Sequence, residues 1–430
     1  MELFEYDILN SKPSRYETNH LHMYVEGRVT YPDINTMSDH EFSIFLHEYV
    51  HYIQHLTTLM GIRICDMNQR LYLLYRGYFE SHEDIPVPLH LWNEDHNLFS
   101  FREMFRKVSG SQSCPFHIDE VEVKSADIIE AKRSRTAVSI GCLDYENDKV
   151  EENAFQFGYR CVIEGMAHEI QQLFYPDVQH SVVPYTAVEL ILKSRKSRYK
   201  EDSRMIASIC LCALHWDNPG VGFFEVLDIL EKYDFTNGVE LYQHVARDYA
   251  VEYNGETMPR FRLMQRFLVE IKKDLEVLLG VPLKYYNKVF DSCINEAGYA
   301  ESYLLKLLYE ENLNDKNGFC EKLIDFYGIP TISAEDMIIL PRNHMTGKPY
   351  LETASLLGWE LIIRRILEKD GDTACGHYKI CSENQYTEPD KCLITEDCMC
   401  RQWKKTEKCL FTQALHYYGM DRKKFSLCTE

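Results

Sequence analysis

The sequence predicts an α+β protein that is predominantly helical, with a small sheet set beside one distinctive helix. Two observations lead there. Apolar residues recur at helical spacing around 205–215, 221–232, 260–279, 295–310, 318–327 and 352–368, so most of the second half reads as packed helix. Strand-like runs are few and short, and they concentrate in the first 140 residues.

Taken in order, the first element is a strand over 22–31, ended by Pro32-Asp33. An amphipathic helix follows. Phe42, Phe45, Leu46, Tyr49, Val50, Ile53 and Leu56 fall at helical spacing, no Gly or Pro interrupts between Pro32 and Gly61, and Ser38 or Asp39 can cap the start. A Leu/Tyr-rich helix over 68–79 packs behind it. Short strands are expected at 121–123 and 136–140. Ala154, Phe157, Tyr159, Val162, Ile163, Met166, Ile170, Leu173 and Phe174 then form the broad stripe of a further helix, stopped at Pro176. The basic stretch 193–200 reads as a solvated loop or junction, with no repeat or low-complexity tract anywhere. The expected organisation is a first unit over 1–200, a helical unit over 201–370 and a Cys-rich segment over 371–430.

The motif helix carries His47-Glu48-Tyr49-Val50-His51, an HExxH pattern. Positions four apart share a helix face, so both imidazoles can reach one metal ion, with Glu48 placed as a base beside the open coordination position. A zinc site of this kind needs a third protein ligand. Glu164 is the best candidate, because a carboxylate among Val162, Ile163, Gly165 and Met166 is costly to bury uncompensated. Gly165 suggests close approach of the metal helix or another backbone. His55 lies too far along the axis to join the same tetrahedron. The metzincin solution needs a Gly where Gln54 stands and a later His where Thr57 stands. His168, one turn after Glu164 on the same face, is a group for orienting a ligand or stabilising a transition state. His168, Tyr185 and His180 are the candidate donors to a developing oxyanion.

With these residues the chain resembles gluzincin-type zinc metallopeptidases over about residues 20–185, where HExxH is completed by a Glu on a later helix, often in a Glu-Gly-x-Ala context like Glu164-Gly165-Met166-Ala167. The resemblance implies a zincin-like catalytic region, a catalytic Zn2+ held by His47, His51 and Glu164, Glu48 as general base, and a peptide or protein substrate. Two departures stand out. His168 occupies the place of an Asp in thermolysin-like members, and the aminopeptidase signature before HExxH is absent, which favours an endopeptidase. Two alternatives belong to other classes: a carboxylate-bridged di-iron bundle, which lacks its second ExxH because Glu164 and His168 are four apart, and a zincin-like shell that binds without turnover.

Composition bounds the rest. A net charge of −20, from 67 acidic against 47 basic residues, repels phosphate backbones and argues against nucleic acid as a general partner. No apolar stretch is long enough to span a membrane, and the N-terminal residues lack a signal-peptide pattern, so the expected location is cytoplasmic. Oligomeric state is left open. Fifteen cysteines without an export signal read as free thiols or metal ligands. Cys210 and Cys212, with His215, lie in an apolar helical run and read as buried core. Seven others, Cys375, Cys381, Cys392, Cys398, Cys400, Cys409 and Cys428, cluster in the tail with His377, where a second, structural Zn2+ is an option beside free thiols.

Overall fold

In the computed structural model, which describes residues 15–17, 21–25, 37–144, 153–334, 338–367 and 394–427 together with positions 374, 375, 378, 381 and 382, the protein is α+β and predominantly helical. Strands β1 (Arg15–Glu17) and β2 (His22–Tyr24) pair antiparallel. The remainder of the expected strand, 26–31, lies outside the described residues.

Helix α1 (Asp39–Thr57) starts at a capping box, in which Ser38 Oγ accepts from the Glu41 amide and the Glu41 carboxylate accepts from the Ser38 amide. The sequence pattern suggests an amphipathic helix, yet every residue from Phe45 to Thr57 is buried. From Phe45 onward the polar side chains of α1 therefore face protein, while Asp39 and His40 in its first turn remain exposed. One extended residue, Thr58, separates α1 from α2 (Leu59–Ser81). Its hydroxyl donates to the Gln54 carbonyl at 2.7 Å and accepts from the Gly61 amide at 3.1 Å. A Cβ on Gly61 would lie 2.5 Å from both Gln54 O and His55 Cα, so only glycine permits this sharp turn. The helix expected over 68–79 is thus the second half of a longer element.

Next come β3 (Asp84–Val87), α3 (His96–Val108), β4 (Glu120–Glu122), α4 (Ser125–Ser134), β5 (Val138–Leu143) and β6 (Asn153–Phe157). Strands β4, β5 and β6 form an antiparallel sheet in that order. Ala154 and Phe157, read above as helical, belong to β6. The helix begins only at α5 (Tyr159–Phe174). Gly158 makes the break, since a Cβ there would meet Val108 O at 2.2 Å.

The remaining helices are α6 (Ala187–Ser194), α7 (Ser203–Ala213), α8 (Pro219–Lys232), α9 (Gly238–Asp248), α10 (Arg260–Leu279), α11 (Tyr285–Tyr299), α12 (Tyr303–Glu310), α13 (Lys316–Tyr327), α14 (Leu351–Leu367) and α15 (Leu410–Tyr417). A hairpin of β7 (Ala250–Tyr253) and β8 (Glu256–Pro259) precedes α10. The apolar run 295–310 divides into α11 and α12 because Ala300 adopts the left-handed region (φ 53°) and Ser302 caps the next helix. Strand β9 (Thr331–Ser333) joins β2 in parallel and carries β10 (Ile338–Ile339) on its other side. Strand β11 (Lys424–Leu427) runs parallel to β3 and ties the end of the described chain to its first half.

Helix α5 packs between α1 and α7, and α2 packs on α10. One continuous apolar cluster runs from Tyr16 to Met420. Among the described residues no helix is long and apolar enough to cross a membrane.

A buried polar network locks β2 and β9 to α14. His22, fully buried, contacts Glu360 Oε2 through Nδ1 at 2.5 Å and Ser333 Oγ through Nε2 at 2.8 Å. Tyr24 donates to Glu360 Oε1, and Arg364 pairs with the same atom at 2.7 Å. Removing the carboxylate would take from His22 its Nδ1 partner and from Arg364 its nearer carboxylate, leaving the buried cation with Glu17 at 3.5 Å. Glu360→Ala should lower unfolding free energy by about 3–5 kcal/mol in urea titration; a loss no larger than that of a surface Glu→Ala change would refute this role.

Candidate metal centre

Helices α1 and α5 cross so that three side chains converge. His47 Nε2 lies 3.1 Å from Glu164 Oε2, and His51 Nε2 lies 3.2 Å from the same oxygen. Among the described residues, His47, His51 and Glu164 form the one group of three candidate donors within 4.8 Å of one another. Donors on a tetrahedron with bonds of about 2.0–2.1 Å sit about 3.3 Å apart. The observed separations match that spacing.

The rings are also turned correctly. His47 Nδ1 is 3.1 Å from Gln171 Oε1, and His51 Nδ1 is 2.8 Å from Gln54 Oε1. The amide orientations follow from their other partners: Gln171 Nε2 donates to Ser43 O and Oγ, and Gln54 Nε2 donates to Ile163 O. An amide oxygen only accepts, so each Nδ1 carries the proton and donates it. Each Nε2 is thereby left as the donor atom for a metal. This is the fit that the donor chemistry demands, with two imidazole nitrogens and one carboxylate oxygen from residues only partly accessible to solvent.

Without a metal, the charges arrange themselves around Glu164. Burial disfavours the His51 imidazolium, but the adjacent Glu164 carboxylate outweighs it and raises the ring to about 9. Burial would likewise raise Glu164, but His51 and His47 hold its carboxyl well below the usual range.

The other sequence candidates take distinct places. Glu48 is buried beside the cluster and acts electrostatically on both His51 and Tyr185. Tyr185 comes from the single helical turn at Val182–Thr186. Its phenol is pushed well above its ordinary value by burial, then by Glu164 and Glu48, so it remains a protonated donor. His180 packs against Tyr185 with the rings tilted by 35° and their centroids 4.4 Å apart, and lies 5.6 Å from the His47 ring. His168 is set one layer back, almost fully buried, with Nδ1 3.0 Å from His180 Nδ1 and Nε2 2.9 Å from Gln172 Nε2. It touches His180 and is not among the converging donors. Gly165 makes its close approach to the segment after α5, not to the metal helix, because a Cβ would meet Val188 Cγ2 at 2.8 Å and Tyr185 O at 3.5 Å.

His55 is withdrawn from the centre: Nδ1 donates to His51 O at 2.7 Å and Nε2 accepts from Tyr159 at 3.0 Å. Burial holds it at about 4, uncharged. Gln171 and the orienting role of Gln54 were invisible to motif reading. Their signal is register: Gln171 falls two turns after Glu164 on one face, and Gln54 one turn after His51.

Cys210 and Cys212 are fully buried in α7. In the tail, Cys375, Cys381, Cys398 and Cys409 line one small cavity with Lys405, whose Nζ stands 3.0 Å from Cys398 Sγ. Cys392, Cys428 and His377 lie outside the described residues.

Comparison with protein-family profiles, with curated proteins and with solved structures finds no match to this chain.

Two outcomes follow from this geometry. Metal uptake must displace the His51 proton. Because that ring is raised to about 9, affinity should climb with pH, by about tenfold per unit, until pH nears that value. Chelator competition at three pH values between 6.5 and 8.5 measures the slope, and a flat profile would contradict it. Separately, Gln171→Leu and Gln54→Leu should each weaken metal binding by roughly 10–100-fold while the fold persists by circular dichroism.

Proposed function

We propose that the protein is a zinc-dependent hydrolase, acting as an endopeptidase on peptide or protein substrates. The single observation that carries this reading is the convergence of His47 Nε2, His51 Nε2 and Glu164 Oε2 at coordination spacing, with both rings oriented by amide oxygens. These three residues would hold the ion. Zinc, when bound, supplies a Lewis acid that polarises a carbonyl and makes water a nucleophile near neutral pH.

The chain's own residues do the rest. Glu48 is the base. It follows His47 directly on α1, is buried, and has the carboxylate needed to take the proton of the attacking water and pass it to the leaving amine. Tyr185, kept protonated by its surroundings, donates to the oxygen on which negative charge develops. His180 packs on Tyr185, and His168 holds His180 from behind, so the pair positions this donor. The choice of a peptide bond rests on the gluzincin-like pattern of Glu48 within HExxH and of Glu164-Gly165-Met166-Ala167. A di-iron centre gains nothing from the geometry, because His168 turns toward His180.

Two variants separate metal binding from chemistry. Glu48→Gln should reduce cleavage of a peptide library by about 10²-fold or more, with zinc stoichiometry by atomic emission unchanged. Glu164→Ala should lose the zinc itself. Full activity in Glu48→Gln would overturn the hydrolase reading, and retained zinc in Glu164→Ala would overturn the ligand set.

A further inference from the structure

A second constellation lies outside the metal centre. The C-terminal end of α4, the start of α8, the loop 215–218 and the start of α10 enclose an open cleft of about 280 Å³, close to the lower limit for small-molecule sites. Its basic and polar lining comprises Lys132, Arg135, His215, Trp216, Asn218 and Arg260.

Arg260 is the anomaly. It is 6% exposed, its guanidinium carbon lies over the Trp216 ring 4.1 Å from the centroid, and its Nε donates to His215 O at 3.0 Å. Its Nη1 is buried with no hydrogen-bond partner. His215, 1% exposed, leaves both ring nitrogens in the same condition. A desolvated guanidinium with an unmatched N–H is costly, and an anion is the usual relief.

The cleft's own carboxylates each have a partner closer than Arg260, one of them within the lining itself. Asp217 pairs with Arg63, and Glu225 pairs with Lys132 at 2.6 Å. Arg135, which closes α4 in the left-handed region (φ 55°), is exposed and has no acceptor among the described residues. Helix α8, fourteen residues long, presents its N-terminus to the cleft; its first residue, Pro219, has no N–H and the Val221 N–H is given to the Asn218 cap, so the terminus acts mainly through its dipole. Helix N-termini favour negative charge. Arg135 and Arg260, a helix terminus and a buried donor without a partner thus line one space in a chain whose net charge is −20.

We infer that this cleft binds a small phosphate-bearing ligand, with Arg260 as its anchoring fork, Arg135 as its outer clamp and the α8 N-terminus beneath the anion. Phosphate fits better than a single carboxylate. Its charge is higher and its oxygens are spread in three dimensions, which suits cations arriving from α4 and α10 at the positive end of α8. Burial and the neighbouring Arg260 hold His215 at about 3, so the ring behind Arg260 is a neutral imidazole and adds no charge of its own to the cleft. The cleft volume beyond the phosphate leaves room for a small ester group.

Isothermal titration of the full chain with inorganic phosphate and with phenyl phosphate, at constant ionic strength, tests this. Both anions should bind saturably at one site per chain, and a tighter phenyl ester would identify a phosphate monoester as the ligand class. Arg260→Lys keeps the charge but loses the fork and should weaken binding by about tenfold or more. Arg135→Asn, at an exposed position whose backbone Asn tolerates, should weaken it several-fold and serves should Arg260→Lys fail to fold. Absence of saturable heat with either anion, or an unchanged affinity in Arg135→Asn, would overturn the assignment.

Discussion

A carboxylate placed inside a helix crossing is the constraint on which this structure turns. Glu164 sits on α5 where α5 meets α1, and an ionised carboxylate there, left alone, would cost several kcal/mol. The compensation is His47 and His51, one turn apart on α1, both aimed at the same Glu164 oxygen. Once α1 is committed to that contact it is enclosed on every side. Each further polar group on it must then be matched from within: Ser43 and His47 by Gln171, His51 by Gln54, His55 by Tyr159, Thr57 by a carbonyl of its own helix. The convergence of His47, His51 and Glu164 and the packing of the central helix are one solution to one desolvation problem.

Close backbone approaches make that solution possible. Gly61 lets α2 fold back within van der Waals distance of the last turn of α1, and Gly158 turns β6 directly into α5. Gly165 has a different consequence. The space of its missing side chain admits Val188 and the Tyr185 carbonyl, so the segment from 180 to 188 lies across α5 and delivers His180 and Tyr185 beside His47. A residue adjacent to the third ligand thereby determines what else can stand near it.

The periodic elements were legible because burial leaves a spacing in the sequence. Helices α7, α8, α10, α13 and α14 follow their apolar runs closely, and His47, His51 and Glu164 could be named before any coordinates, since two spacings and one costly carboxylate point to them. Boundaries were less legible. Ala154 and Phe157 fit a helical stripe as well as a strand, and only the crowding at Gly158 decides between them. The division of α11 from α12 depends on the conformation of Ala300, which an Ala does not announce. The partners of the rings were hidden for another reason. Gln171 and Gln54 act through a single amide oxygen each, and a glutamine in a helix carries no mark of the partner it will meet.

That both orienting groups are amides has an electrostatic meaning. The candidate centre holds two carboxylates, Glu164 among the converging atoms and Glu48 beside them, which together would balance a divalent cation. Carboxylates at positions 54 and 171 would make the same hydrogen bonds to the imidazoles and add two more negative charges in a buried place. Among 67 acidic residues in the chain, neither of these positions carries one. An excess of buried anion would hold the histidines protonated more firmly and set proton against metal at the same Nε2 atoms. Neutral amides fix the tautomer without that competition. The imidazoles' outer nitrogens are thus met by neutral oxygens, while Glu48, buried beside the cluster, adds its carboxylate to the field at His51.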